Sequence, residues 1–366
     1  MRIFIITAAA VVLLFGCISP VSAYAEEDVY AEVTDEIDGA LDEFGLGITL
    51  DEVPGLTFGE LASAVAEGTR DRLAAPLRML ALVFLVVVAA SILRNTAGNS
   101  LASTSAGTYD MVCTTAAAAA VAPQIIAVFE DTLVHIRLCG GFMIVFVPVF
   151  TAAAAMCGSL TTSGVYNVLI LGASELITQL AESYLLPVLG AATALSVTGS
   201  VFPDTSLESA AALLKKVSIW CISVIMTLFT GFVSVKCTIA ARTDGVAVKA
   251  AKTVISGMVP VVGGAVSDAY ATVKGSFEVI GTTAGAAGII GIVLLILPHI
   301  LELFAYRGVM LAGAAAADMF SVPTVGKLLR SLDSALAIAQ CVLVCYSLMF
   351  LISSAILAHS ITSAAV

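Results

Sequence analysis

The sequence predicts an all-α fold: a polytopic transmembrane helical bundle of six to eight spans behind a short acidic extracytoplasmic N-terminal helical segment. Composition is the first observation behind this. Of 366 residues, 60% are apolar and 12% charged, where soluble domains carry roughly 45–50% and about 25%, and the mean hydropathy is +1.06. The second is length: apolar runs of about 20 residues recur, and a helix of that length crosses hydrocarbon with every backbone polar group paired internally. The third is segregation of charge. Residues 26–72 hold fourteen Asp/Glu against Arg70 and Arg72, whereas residues 73–366 hold thirteen of each sign, so the formal charge of −11 belongs to one segment. No basic stripe exists to neutralise nucleic-acid phosphates, nor a polybasic anchor for lipid headgroups. The predicted environment is the lipid bilayer, with no nucleic acid.

Residues 1–25 read as a signal peptide: Met1-Arg2, an apolar run from Ile3 to Ile18, then Pro20 and the small-residue ending Ala23-Tyr24-Ala25. These are the n-region, h-region and cleavage site in order. Leu14-Phe15-Gly16-Cys17 offers a competing reading as a lipoprotein signal with Cys17 lipidated, against which the aromatic before Gly16 counts. Residues 26–72 are then expected outside the cytoplasm as an acidic helical segment. In it Val29, Val33, Ile37, Leu41 and Phe44 recur at helical spacing among Asp and Glu, giving an amphipathic helix ended by Gly45 and Gly47. Such a helix either rests on its own protein or docks a partner. A second helix begins at Thr57-Phe58-Gly59-Glu60, where the Thr hydroxyl and Glu carboxylate reciprocally satisfy the first turn.

The transmembrane domain is expected over 73–366. Its candidate spans are Ala74 to Leu93, Met111 to Phe129, Leu138 to Cys157, Val165 to Val197, Val217 to Ala241, Ile280 to Phe304, a weak Gly308 to Val322, and Ala335 to Ala358. Runs of small residues (Ala152 to Ala155, Ala314 to Ala317, and Gly281, Gly285, Gly288 and Gly291) predict close helix packing rather than a pore. Arg70, Arg72 and Arg78 precede the first span and Arg94 alone follows it. By the positive-inside rule this opposes an outside N-terminus; the signal peptide outweighs it, since cleavage fixes the side.

Glu175, Gln179 and Glu182 fall at i, i+4 and i+7 in an apolar stretch and form a candidate intramembrane polar face. Carboxylates in hydrocarbon usually face a bundle interior or water. The three residues either line a solute, ion or proton path, or mark a junction of two short spans near Ser183 with Glu182 at an interface. Eight cysteines are scattered without a C-x-x-C pair, which predicts small buried hydrophobes and no disulfide framework. His135, His299 and His359 are isolated in sequence, and His299 beside Pro298 reads as a packed or helix-end residue.

The segment around 244–278 is the most informative. Its apolar part, Thr253 to Val266, is too short to cross and is broken by Gly257, Pro260, Gly263 and Gly264, so a re-entrant or interfacial element is expected. Asp244-Gly245, Ala251-Lys252, Val259-Pro260-Val261-Val262-Gly263 and Ser267-Asp268-Ala269 follow one another there, with Phe146-Val147-Pro148-Val149 earlier. In these stretches, and in its order of signal peptide, acidic segment and membrane domain, the chain resembles the stage III sporulation protein AE family of endospore-forming bacteria. The family-motif positions are Asp244, Gly245, Lys252, Pro260, Gly263 and Asp268.

The resemblance implies a membrane subunit of the channel or secretion complex that connects mother cell and forespore during engulfment, needed for late forespore gene expression. It implies a place in the mother-cell-derived membrane around the forespore. It also implies two sets of partners: the other stage III sporulation A membrane proteins and, through the complex, the forespore stage II Q protein. No catalytic residue and no cofactor come with it. The chain also holds no phosphate loop, H-E-x-x-H zinc motif or G-x-S-x-G nucleophile elbow, so a non-enzyme is expected. The alternative is an independent secondary transporter that uses Glu175 and Glu182 as coupling carboxylates and a Gly/Pro-broken helix near 253–266.

Overall fold

The computed structural model describes residues 26–45, 49–55, 57–70, 72–98, 106–202, 207–258 and 263–363. Every regular element among them is helical. They are α1 (Glu26–Glu43), a 3-10 turn at Val53–Gly55, α2 (Phe58–Arg70), α3 (Ala74–Gly98), α4 (Ala106–Met156), α5 (Leu160–Leu180), a π turn at Ala181–Leu185, α6 (Leu186–Val201), α7 (Leu207–Met258), α8 (Gly263–Met319) and α9 (Pro323–Ser363). The signal-peptide and Cys17 readings, and Pro260, lie outside the described residues.

The two short helices form as their sequences dictate. Gly45 takes a φ of +65°, which a residue without Cβ adopts freely, just past the end of α1. The loop after it folds back, with the Leu50 N–H donating to Asp38 Oδ1 at 2.6 Å. At the start of α2 the Thr57 N–H donates to Glu60 Oε2 at 2.8 Å and the Glu60 N–H to Thr57 Oγ1 at 3.4 Å. This is the reciprocal cap the sequence predicts.

Among the described residues, six helical stretches are long and apolar enough to cross a membrane: Ala74–Asn95, Thr108–Met156, Leu160–Val201, Ser209–Val246, Gly281–Met319 and Pro323–Leu357. The fold is therefore an all-α polytopic bundle. Two pairs of expected spans are fused. Met111 to Phe129 and Leu138 to Cys157 are halves of α4, and Ile280 to Phe304 continues into Gly308 to Val322 along α8. The reason is local: neither Glu130 to Arg137 nor Ala305 to Arg307 contains a glycine or proline. The polar side chains there pair laterally instead of opening a loop. At 1.5 Å per residue α4 is roughly 75 Å long, more than twice the hydrocarbon thickness, so it projects well beyond one crossing.

Phe142, Phe146 and Phe150 lie at i, i+4 and i+8 on α4 and carry the centre of the core. Phe146 stacks on Phe142 at 5.2 Å, and Phe350 of α9 meets both edge-on at 6.4 and 6.3 Å. Tyr166 of α5 closes on Phe150 at 6.0 Å. The acidic helix docks on this stripe: Ile37 and Leu41 are buried, and Phe44 meets Phe142 edge-on at 5.4 Å. Of the two expected roles for α1, its apolar face thus takes the first, while Asp35, Glu36, Asp42 and Glu43 stay exposed. Small residues permit close approach as the sequence suggests. A Cβ on Gly288 would stand 2.3 Å from the Phe146 ring, and one on Gly313 2.3 Å from Val83 of α3. By contrast α7 is peripheral, with only 6% of its apolar window buried.

Two outcomes follow. Gly288→Ala forces a methyl into a fully buried Phe146, so thermal unfolding of the detergent-purified protein should show a loss of about 1–3 kcal/mol, while Gly308→Ala, with open space around it, should be neutral. The bond from the Thr57 backbone, and then its hydroxyl, holds the Glu60 carboxyl below its ordinary 4.5. A depressed folded value means that stabilisation is present above the unfolded value and is lost as pH falls through the folded one. Amide-exchange protection in the first turn of α2 should therefore be flat above pH 4.5 and decline below it, and Glu60→Gln should abolish that decline.

Candidate functional site

Midway along α4 and α8, ionisable side chains meet between otherwise apolar helices. Asp131, Thr132 and His135 share one face of α4, and His299 and Glu302 are one turn apart on α8. Pro298 sits inside α8 immediately before His299. A Cβ on Gly68 would touch the Pro298 ring at 3.4 Å, so α2 rests on this turn and delivers Arg72, just beyond its end. Arg72 Nη1 donates to Glu302 Oε2 at 3.3 Å and lies 3.9 Å from Asp131 Oδ2. The rings of His135 and His299 stack face to face, 3.9 Å apart and 3° from parallel. Side-chain exposure is 1% for His299 and 7% for His135, against 45% for Asp131. The cluster is thus closed at the histidines and open to the surface at the carboxylate.

The hydrogen bonds define it further. His299 Nε2 lies 3.1 Å from Thr132 Oγ1, and His299 Nδ1 lies 3.2 Å from Glu302 Oε2 and 3.4 Å from Asp131 Oδ2. His135 Nδ1 lies 2.9 Å from the Asp131 carbonyl, to which it donates. Ligand atoms of Asp131, His135 and His299 fall within 4.8 Å of one another. Imidazole and carboxylate are both metal ligands, and ionisable groups within spanning helices commonly mark functional sites.

Other polar pairs join the long helices. Arg307 of α8 donates to Asp333 Oδ1 at 2.9 Å and to Gln340 Oε1 at 2.8 Å, both on α9. The buried Lys215 of α7 gives three bonds to α9, to the Ser331 carbonyl and to the Ser331 and Ser334 hydroxyls, at 2.7 to 2.8 Å.

The expected polar face is placed differently from a lined path. Glu175 accepts a bond from Gln179 of the same helix at 2.6 Å, and Glu182 accepts from Arg137 of α4 at 2.7 Å, with side-chain exposures of 39% and 57% for Glu182 and Arg137. Glu182 falls in the π turn, which comes just before Pro187. A proline cannot continue the regular ladder, and the wider turn accommodates it. The helix runs through this turn without a break, and Leu160–Val201 forms one apolar stretch.

Among the family-motif positions, Asp244 has a definite structural task. It is 3% exposed, and its carboxylate accepts the N–H groups of Thr161 and Thr162 at 2.9 and 2.8 Å and the Thr162 hydroxyl at 2.7 Å. These are free donors of the first turn of α5, so α7 caps a different helix with an anion at its positive end. Gly245 follows, half-buried. By backbone, Lys252 lies on α7 and Gly263 and Asp268 on the first turns of α8. The segment expected as re-entrant or interfacial is helical on both sides, closing α7 at Met258 and opening α8 at Gly263.

Reading His135 and His299 as isolated is corrected by the fold: 164 positions apart in the chain, they stack ring on ring where α8 runs along α4. A usable signal did exist in Asp131 and His135 at i, i+4 and His299 and Glu302 at i, i+3, each pair inside an apolar helix. Beside the π turn an apolar cavity of about 410 Å³ is lined by Leu180, Tyr184, Cys221, Ile222, Cys345 and Tyr346. It is separate from the charged cluster.

A family profile described as "Stage III sporulation protein AE" matches residues 51–360. A curated protein of that name from Bacillus subtilis (strain 168) is 26% identical over 148 residues, which cover 40% of this chain and 37% of the relative. The aligned stretch thus spans well under two thirds of the relative's length. No solved structure matches the chain.

Replacing Asp244 tests its role as a remote cap. Asp244→Ala leaves the Thr161 and Thr162 N–H groups buried without an acceptor and should lower unfolding stability by about 1–3 kcal/mol. Amide-exchange protection should be lost first at residues 161 and 162, and Asp244→Asn, which keeps an acceptor oxygen, should cost less.

Proposed function

The chain belongs to the Stage III sporulation protein AE family, and from that premise we propose that it is a non-enzymatic subunit of the channel or secretion complex connecting mother cell and forespore. In this reading it resides in the mother-cell-derived membrane around the forespore and supports late forespore gene expression. It assembles there with the other stage III sporulation A membrane proteins and, through them, with the forespore stage II Q protein. The family match over residues 51–360 carries the proposal. That the chain is a multi-pass membrane protein of sporulation is the part already established, by the match and by six membrane-length apolar helices.

Two surfaces of the fold are open to such partners. Along α7, Trp220, Leu228, Phe232, Val235 and Ile239 are exposed, and little of this helix is covered by its own chain. In a bilayer such a face is covered by lipid or by the helix of a neighbouring subunit. The exposed carboxylates of α1 stand on the opposite side of that helix from its buried Ile37 and Leu41, leaving a charged face for a soluble partner domain.

Against the transporter alternative stands the placement of its proposed carboxylates. Glu175 and Glu182 are engaged with Gln179 and Arg137 at the surface of the bundle rather than aimed into a path.

Two measurements decide between these readings. Affinity purification from sporulating cells should bring down the other stage III A membrane proteins, and their absence would overturn the assembly reading. The double substitution Glu175→Gln and Glu182→Gln in the native host should leave spore counts within about 2-fold of wild type, as expected for one exposed ion pair, Glu182 with Arg137, worth about 0–1 kcal/mol, and one exposed bond within a helix. A spore defect of several decades would restore the carboxylate-coupled transporter.

A further inference from the structure

The Thr132 hydroxyl orients the His299 ring. Thr132 has one hydroxyl proton, and Thr132 Oγ1 lies 2.8 Å from the Val128 carbonyl, which only accepts. With that proton committed, the bond between Thr132 Oγ1 and His299 Nε2 has the ring nitrogen as donor. The other ring nitrogen, Nδ1, faces Glu302 Oε2 at 3.2 Å and Asp131 Oδ2 at 3.4 Å. These three atoms converge, one of them on a side chain only 1% exposed, and His135 stands beside them, its ligand atom within 4.8 Å of those of Asp131 and His299. Two carboxylates converging on one imidazole nitrogen, with a second imidazole alongside, form the donor set of a cation site.

We propose that this convergence is a binding site for a divalent transition-metal ion of the zinc class. His299 Nδ1, Asp131 and Glu302 supply the first ligands, and His135 lies within reach as the fourth. The spacing about His299 Nδ1 fits: ligand bonds of 2.0–2.1 Å in a tetrahedral site place neighbouring ligand atoms about 3.3 Å apart, and the two carboxylate oxygens lie 3.2 and 3.4 Å from it. The outer contacts fit as well. His299 donates its other ring proton to Thr132, and His135 donates Nδ1–H to the Asp131 carbonyl, which leaves Nε2 as its ligating atom. Coordination by both rings requires the His135 ring to turn out of its stack on His299. Imidazole ligands select zinc-like ions over magnesium and calcium, which take oxygen.

Arg72 is the competitor. Its guanidinium supplies one positive charge against two carboxylates, whereas a divalent ion neutralises both. Its side chain is 37% exposed, so it can withdraw to the surface as the ion enters past Asp131. Metal and Arg72 therefore exclude each other, which separates this site from a plain ion-pair network.

The test uses the full chain purified in detergent, stripped with chelator and titrated with zinc chloride alone at neutral pH. Bound metal is counted by elemental analysis and unfolding is followed by thermal melt. One equivalent per chain and a raised Tm are expected, with a 100-fold excess of magnesium unable to compete. His299→Ala and Asp131→Asn should each weaken binding at least about 10-fold, whereas Arg72→Gln should bind as tightly as wild type or more so. Asp131 is partly exposed, so Asp131→Asn provides a folded comparison if His299→Ala does not fold. Absence of bound zinc in folded wild type, undiminished binding in either ligand variant, or loss of binding in Arg72→Gln would overturn the proposal.

Discussion

A charged side chain on an apolar helix has to find its counterpart on a neighbouring helix, and that constraint decides which helices of this protein stand side by side. Arg72, Asp131, His299 and Glu302 tie the start of α3 to the middles of α4 and α8. Arg307 with Asp333 and Gln340 ties α8 to α9, Lys215 with Ser331 and Ser334 ties α7 to α9, and Asp244 ties α7 to the first turn of α5. In hydrocarbon there is no hydrophobic force between helices, so contacts of this kind and close packing set register. Breaking a buried pair leaves an uncompensated charge, which costs far more than the pair contributes. The polar residues therefore act mainly as specifiers of arrangement.

Between the polar ties, packing is a matter of shape. The Phe142, Phe146 and Phe150 stripe is bulky, and the facing positions are small: Gly288 approaches Phe146 closely, and Gly313 does the same with Val83. Hydroxyls buried in the same region bond across helices, Ser174 with Tyr346 at 2.7 Å and Tyr166 with Ser354 at 3.0 Å. Such contacts satisfy polar atoms without introducing charge. The acidic α1 is held by the same aromatic stripe, so the segregated negative charge is attached to the bundle through Phe44. A helix that is acidic outside and apolar inside joins two environments at one level of the bundle.

The sequence made the fold class legible, and several details with it. The caps at Gly45 and Thr57 to Glu60, the amphipathic α1, the six apolar helices and the family-motif stretch are all visible in runs of adjacent residues. What sequence reading misjudged was continuity and neighbourhood. It divided α4 at Glu130 to Arg137 and α8 near Arg307 because charge interrupts a hydropathy window, yet charge does not break a helix when a partner waits alongside. It weighed Glu175 and Glu182 as the polar site because they share one helix face, and passed over His135 and His299.

Composition and periodicity by themselves determined that this chain is an α-helical membrane protein with its negative charge gathered in one segment. Those properties are local: they depend on the residue and its neighbours within a few turns. Only the tertiary structure decided that Thr132 faces His299 across 167 positions and that Arg72 reaches Glu302 across 230. The lateral register of two helices is set by where small residues let them approach and where charges must pair, and neither is written in the order of residues along a single helix.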